Sequence, residues 1–438
     1  MEAIMRIDHL VMGNFKGFER RELSFHPEFN LIVGENGTGK TSVLEALSVA
    51  VGSWFLGLRG YDTRHIRMED VRMTLVGPEP MESWERQFPC TVEAHGLIGS
   101  TSLRWERSLN HPQGRTTHGG AREVKLLATD ADEAVRAGRS LLLPLIANYG
   151  TGRLWNVPRE QARVEKADRI KGKASLSRLD AYRNSVDPRL SVADLVEWVA
   201  RESWRAFQQV GGYSPAFRVA RAALIRNVEG AEDVYFDAQY GEVIVRFADG
   251  YSQPFNNLSD GQRCMLALVG DLARKAATLN PHLGEEAITK TPGVVLIDEL
   301  DLHLHPKWQR RVIEDLRTTF PSLQFICTTH SPFLIQSLRS GEELVMLEGQ
   351  PTAQLGDLSI AQIATGIQGV RDLDVSPRYQ QMKAVARSYL ETLDEAALAP
   401  EAKLDAYRER LASSIAPFAD NPAFQAFLEM KRAAKLGA

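Results

Sequence analysis

Gly34-Glu-Asn36-Gly37-Thr38-Gly39-Lys40-Thr41-Ser42 puts three glycines in front of a lysine and two hydroxyls. Glycines at 34, 37 and 39 let the backbone bend tightly, so successive N–H groups can converge on an anion. The spacing fits G-x-x-x-x-G-K-[ST], the P-loop pattern that cradles a nucleoside triphosphate. Asn36 to Ser42 would form that cradle, with the Lys40 charge on the β- and γ-phosphates and the Thr41 hydroxyl on Mg²⁺. A glycine turn can spell the same letters, so the surrounding residues decide.

Val294-Val-Leu-Ile-Asp298-Glu299 is an apolar run ending in two carboxylates. Asp298 is suited to hold the Mg²⁺ shell, and Glu299 to orient or deprotonate an attacking water. Two adjacent acids can also make an ordinary solvated turn, and it is the P-loop that favours the catalytic reading. In Leu258-Ser259-Asp260-Gly261-Gln262 the serine precedes a helical pattern over Arg263–Leu272. That is an N-cap, and the same chemistry serves the helix's own amides or a phosphate. Thr328-Thr-His330-Ser-Pro332 closes a β-rich run with a histidine.

The elements that must hold these groups are legible around them. Arg6–Met12, Glu22–Phe25 and Phe29–Val33 read as strands, and Val43, Leu44, Leu47 and Val51 share one side of a helix over Thr41–Val51. Cys90–Ala94 and Leu103–Arg107 imply a sheet beside the first. Asn110–Glu123 reads as an exposed loop, and Leu141–Ala147 as a buried strand. Arg159–Asn227 mixes charged and apolar residues at helical spacing, and Val234–Phe247 reads as a hairpin turning at Tyr240-Gly241. Val294–Ile297 and Phe325–Thr328 have the composition of buried parallel strands. Ser376–Leu393, Glu401–Ser414 and Pro422–Leu436 predict three amphipathic helices.

With 44% hydrophobic and 25% charged residues in a chain of 438, a folded core is expected. The net charge of −4 excludes a surface basic throughout, though not a local basic groove. Cys90, Cys264 and Cys327 are far apart and form no CxxC pair, as expected of a chain in a reducing cytoplasm. The N-terminus lacks the pattern of a signal peptide, and no run approaches the roughly 18 to 20 apolar residues of a membrane span. A cytoplasmic protein without a membrane partner is expected.

Taken in order, the four motifs resemble those of ABC-type ATPases. The resemblance implies an α/β fold: a P-loop core sheet with an antiparallel β-subdomain, a helical insertion and a helical tail. It implies ATP and Mg²⁺ as cofactors, Ser259, Gly261 and Gln262 as the signature facing the ATP of a second subunit, and His330 as the switch histidine. Asp260 stands where glycine or serine is commoner, adding a negative charge near that interface. Gly13-Asn-Phe-Lys16-Gly-Phe18 resembles the entry strand of the Rad50/RecF group, which makes Lys16 a candidate nucleotide contact.

Asp301-Leu-His303-Leu-His305-Pro306-x-Trp308 resembles RecF-like defence ATPases and those of the overcoming-lysogenization-defect type, where this loop lies at the subunit interface. The two histidines also allow a metal reading, without a third ligand spaced to match. Asn148-Tyr-Gly-Thr-Gly-Arg153-Leu-Trp155 is similar to a segment of the ATPase subunits of Septu-type anti-phage systems. Arg153 there has two readings, a γ-phosphate sensor or the partner of a carboxylate.

The resulting domain expectation is a first ATPase lobe over 1–157, a helical insertion over 158–232, a second lobe over 233–345 and a tail over 346–438. Glu348-Gly349 and Asp372-x-Asp374 are reminiscent of a toprim nuclease but lack its alternating strands and helices. The tail carries Phe424, Phe427 and Leu428 on one predicted face, either to pack or to dock a partner. The functional expectation is an ATPase that dimerises around ATP and regulates a separate effector, such as an HNH-type nuclease, in anti-phage defence. Nucleic acid would be reached directly or through that partner. The alternative is a RecF-like ATPase of DNA repair.

Overall fold

The computed structural model describes residues 4–78, 82–153, 177–190, 192–208, 212–348, 358–368, 377–397, 400, 403–418 and 421–436. Strands β1 (Ile4–Phe15) and β2 (Phe18–Ser24) form a hairpin, and β3 (Phe29–Val33) leads into helix α1 (Lys40–Val51). A small hairpin, β4 (Met73–Val76) and β5 (Ser83–Arg86), precedes the long pair β6 (Cys90–Gly99) and β7 (Thr101–Leu109). β6 alternates buried and half-buried residues along its whole length, the period of a sheet with one covered face.

β6 pairs directly with β1, giving one antiparallel sheet in the order β2-β1-β6-β7. The expected second sheet beside the first is therefore an extension of it. Alternation reports which face of a strand is covered and is silent about its neighbour.

After β7 comes α2 (Arg122–Arg136), a helix that sequence reading passed over. Its buried side is Val124, Ala128, Ala131, Asp132 and Ala134, too small and too polar a stripe to register as an apolar period. Small residues let it approach closely: a Cβ at Gly57 would meet the side chain of Ala128 at 2.7 Å.

β8 (Leu145–Tyr149) follows, then α3 (Val192–Gln208) and α4 (Pro215–Asn227). Those two helices fall within the expected helical insertion. Its stretch 159–176 lies outside the described residues, as does Trp155. The hairpin β9 (Ala231–Asp237) and β10 (Glu242–Phe247) gains a third strand, β11 (Ser252–Pro254). Helix α5 (Asp260–Leu279) packs so closely on the insertion that a Cβ on its Gly270 would meet Leu195 at 2.8 Å and Leu224 at 3.3 Å.

β12 (Gly293–Ile297), β13 (Leu323–Thr328) and β14 (Leu344–Met346) complete a second sheet, ordered β14-β3-β13-β12-β8 and parallel throughout. β3, β12 and β13 are buried at every residue, as strands covered on both faces must be. Parallel strands end on one edge, the edge where open α/β sheets bind ligands. Here that edge gathers the P-loop after β3, Asp298 after β12, His330 after β13 and Gly150 after β8. The fold is that of an ABC-type ATPase head.

The chain divides into two compact units, one to Ile363 and one from Ala364. Helices Pro377–Ala397, Leu404–Ile415 and Pro422–Leu436 of the second unit share a core of Tyr389, Leu393, Leu411 and Leu428. Phe424 is partly buried against it, whereas Phe427 is exposed under the Lys431 ammonium and does not join the same packed face. Gly349, Asp372 and Asp374 lie outside the described residues. No helix among the described residues is long and apolar enough to cross a membrane.

Candidate nucleotide site

Gly37 and Gly39 have φ of 88° and 97°, the left-handed region that glycine enters without strain. Gly39 carries a second constraint, since a Cβ there would sit 2.5 Å from the Phe18 ring beneath the loop. No side chain caps the start of α1, so its first amides keep their donors for a ligand. Lys40 Nζ donates to the carbonyls of Gly34 and Glu35 at 2.8 and 2.9 Å. Burial lowers its pKa, and Asp298, Glu299 and Asp301 oppose that shift without reversing it.

Thr41 Oγ1 donates to Asp298 Oδ2 at 3.0 Å, and Thr328 Oγ1 donates to the other carboxylate oxygen at 2.6 Å. The same Thr328 hydroxyl accepts the Glu299 N–H at 2.8 Å. Glu299 is half-buried and stands at φ 48°, a left-handed conformation uncommon outside glycine. An open cleft of about 970 Å³ runs from Thr41 and Asp298 past Asn148 and Gly150.

Ser259 and Gln262 form a reciprocal capping box at the exposed start of α5: Gln262 N–H to Ser259 Oγ at 3.4 Å, and Ser259 N–H to Gln262 Oε1 at 3.1 Å. Asp260 pairs with Arg263 one turn on at 3.6 Å, so its extra charge is balanced locally. Gly261 is required by contact, because a Cβ would meet the His303 carbonyl at 2.7 Å and the Trp308 ring at 2.9 Å. His330 is exposed at the end of β13. Its neighbours tie that turn to the following loop, through Thr329 to Asp301 at 2.5 Å and Ser331 to Gln309 at 2.6 Å. His303 sits at φ 64°, and His305 accepts the Lys307 N–H as the cap of a short helix. Among the described residues no three His, Cys, Asp or Glu side chains are grouped to hold a metal ion.

Two family models match the chain: "AAA domain, putative AbiEii toxin, Type IV TA system" over residues 128–336, and "AAA domain" over 9–201. A retron Vc95 probable ATPase of Vibrio cholerae serotype O1 biovar El Tor is 24% identical over 79% of this chain and 74% of its own length. Septu protein PtuA of Bacillus mycoides (strain KBAB4) is 25% identical over 78% of this chain. The chain thus resembles an ABC-type ATPase head of the PtuA kind. Its match spans 41% of that PtuA, well under half of the longer protein. Among solved structures, an Smc head domain from Pyrococcus furiosus, bound to the C-terminal domain of ScpA, aligns with a TM-score of 0.46 at 16% identity. That alignment covers 84% of this chain and all of the other.

Two residues that the sequence singled out have partners within the protein. Lys16, expected at the nucleotide, ion-pairs with Glu45 of α1 and with Asp70, each at 3.1 Å. Burial would lower its pKa, but those two carboxylates outweigh it and hold the ammonium above the ordinary lysine value. Arg153, read as a γ-phosphate sensor or as the partner of a carboxylate, bonds to main-chain carbonyls among the described residues. It is fully buried, and its guanidinium donates to the main-chain carbonyls of Gly150, Asp298 and Glu299 at 3.2, 2.8 and 3.0 Å, with Nε 3.3 Å from Cys264 Sγ on α5.

The rest of its segment is bonded both ways. Asn148 reaches Ser48 of α1 at 3.4 Å, and the buried Tyr149 hydroxyl donates to Asp271 of α5 at 2.7 Å. Asp70, Arg64 and Glu45 carried no sequence signal at all, because acids and arginines outside a motif look like solvated surface. Only their spatial meeting distinguishes them.

Proposed function

We propose that the chain binds ATP with Mg²⁺, closes with a second copy of itself around the nucleotides and hydrolyses them, so regulating a separate effector nuclease in anti-phage defence in the cytoplasm. The observation that carries the nucleotide reading is the 3.0 Å contact between Thr41 and Asp298, a hydroxyl and a carboxylate 257 positions apart in the chain. Both are oxygen donors of the kind a hard divalent cation takes alongside phosphate. Mg²⁺ bound there would draw charge from the β- and γ-phosphate oxygens. Lys40 neutralises the same phosphates, and Glu299 orients or deprotonates the attacking water.

Support for the sandwich comes from the signature: Ser259 is exposed, and its hydroxyl hydrogen-bonds to Gln262 of its own helix. In the closed dimer this end of α5 faces the partner's γ-phosphate, with His330 on the phosphate of its own site. Support for defence comes from the Septu and retron names of the relatives. The effector is an HNH-type nuclease acting as a separate chain, and nucleic acid is reached through it or directly.

Co-expression with the neighbouring gene tests the whole reading. Lys40→Ala should abolish ATP binding, while Glu299→Gln should bind ATP, turn over at least ~10²-fold more slowly and accumulate dimers. A nuclease should co-purify with the wild type. ATP-dependent binding to duplex ends with no protein partner would replace the defence reading by the RecF-like one.

A further inference from the structure

Arg153 is a buried cation with no carboxylate among its hydrogen-bond partners in the described residues. Instead it gathers three main-chain carbonyls, two of them belonging to Asp298 and Glu299. A planar guanidinium can span such a set, whereas an ammonium on a flexible stem cannot. The three contacts converge where the backbone is least comfortable. Glu299 holds φ at 48°, and such a conformation persists only where its surroundings over-determine it.

The Glu299 peptide is fixed at both ends. Its N–H is held by Thr328 Oγ1 at 2.8 Å, and its carbonyl is shared by Arg153 and the Leu302 N–H, each at 3.0 Å. Thr328 has a second task in the site, because its hydroxyl donates to Asp298. Arg153 has a second contact outside it, Cys264 on the signature helix.

We infer that Arg153 is a positioning residue for hydrolysis: it sets the backbone conformation that aims the Glu299 carboxylate, and it ties that conformation to α5. This rests on the proposed catalytic role of Glu299. Loss of the fork leaves the Glu299 carbonyl to the Leu302 N–H alone, and the less constrained carboxylate then samples directions away from the water. A displacement of about 1 Å at a reacting group costs on the order of 10²-fold in rate. Among the described residues Arg153 meets main-chain carbonyls and Cys264, so its loss should act on hydrolysis through Glu299 rather than on nucleotide affinity.

The test is steady-state hydrolysis of MgATP by the full chain carrying Arg153→Lys, with Arg153→Met as a harsher companion and melting curves for both. Arg153→Lys should lower kcat by roughly 10- to 100-fold and leave KM within about twofold. It should accumulate ATP-bound dimers as Glu299→Gln does, and in the Glu299→Gln background it should slow turnover no further. An unchanged kcat, a KM that rises in step with the loss, or a loss that multiplies with that of Glu299→Gln would each overturn the inference. A Glu299→Gln variant of normal turnover would instead remove the catalytic reading on which it rests.

Discussion

Asp70 has no exposure, and its carboxylate gathers Arg64 at 2.9 and 3.0 Å, the Arg67 N–H at 2.8 Å and Lys16 at 3.1 Å. Burial alone would raise its pKa; the Arg64 guanidinium and the Arg67 N–H outweigh that and hold it below the usual carboxylate value. A depressed folded pKa stabilises above the unfolded value, and that stabilisation fades as pH falls through the folded one. Asp70→Asn should therefore cost about 3–5 kcal/mol at pH 7, the cost of breaking a buried ion pair. The gap to wild type should narrow as the pH drops below the ordinary carboxylate value of 3.8, measured by denaturant titration across that range. The P-loop, by contrast, was readable from its spacing and the elements around it, since each of its glycines answers a local demand. Arg153 fell between. Its segment was recognisable, but its partners are carbonyls, which every residue has and no sequence pattern marks.

At the scale of elements, the signature helix and the loop after β12 meet at Gly261. A methyl there has no free space, because one of its near neighbours is the His303 carbonyl, part of a backbone already in the left-handed region. Gly261→Ala should lower stability by about 1–3 kcal/mol, the usual cost of overpacking. Gly37→Ala meets nothing within 4 Å and should cost only the strain of its positive φ. Urea midpoints of the two variants compare these effects directly. The buried parallel strands were legible because unbroken β-branched and apolar runs have few alternatives. α2 was not, since alanines pack well without raising hydropathy. The pairing of β6 with β1 was not either, because register and neighbour are long-range choices.

For the molecule as a whole, the exposed Ser259 end of α5 is the surface on which the proposed dimer closure turns. Ser259→Arg should leave ATP affinity of the single chain within about twofold while removing ATP-dependent dimers from light scattering in a Glu299→Gln background, by bulk at the interface. The order of the core sheet has another consequence. β3, which carries the P-loop, is flanked by β13 and β14, so both its neighbours come from the far end of the head. At about 5–20 residues per second of synthesis, some 290 to 310 intervening residues keep β3 waiting on the order of 15 to 60 s for a partner. During that interval Phe29, Leu31 and Ile32, fully buried in the finished fold, lack the strands that flank them on either side. The proposed nucleotide site is thus a property of the completed sheet, assembled only after its last strand is made.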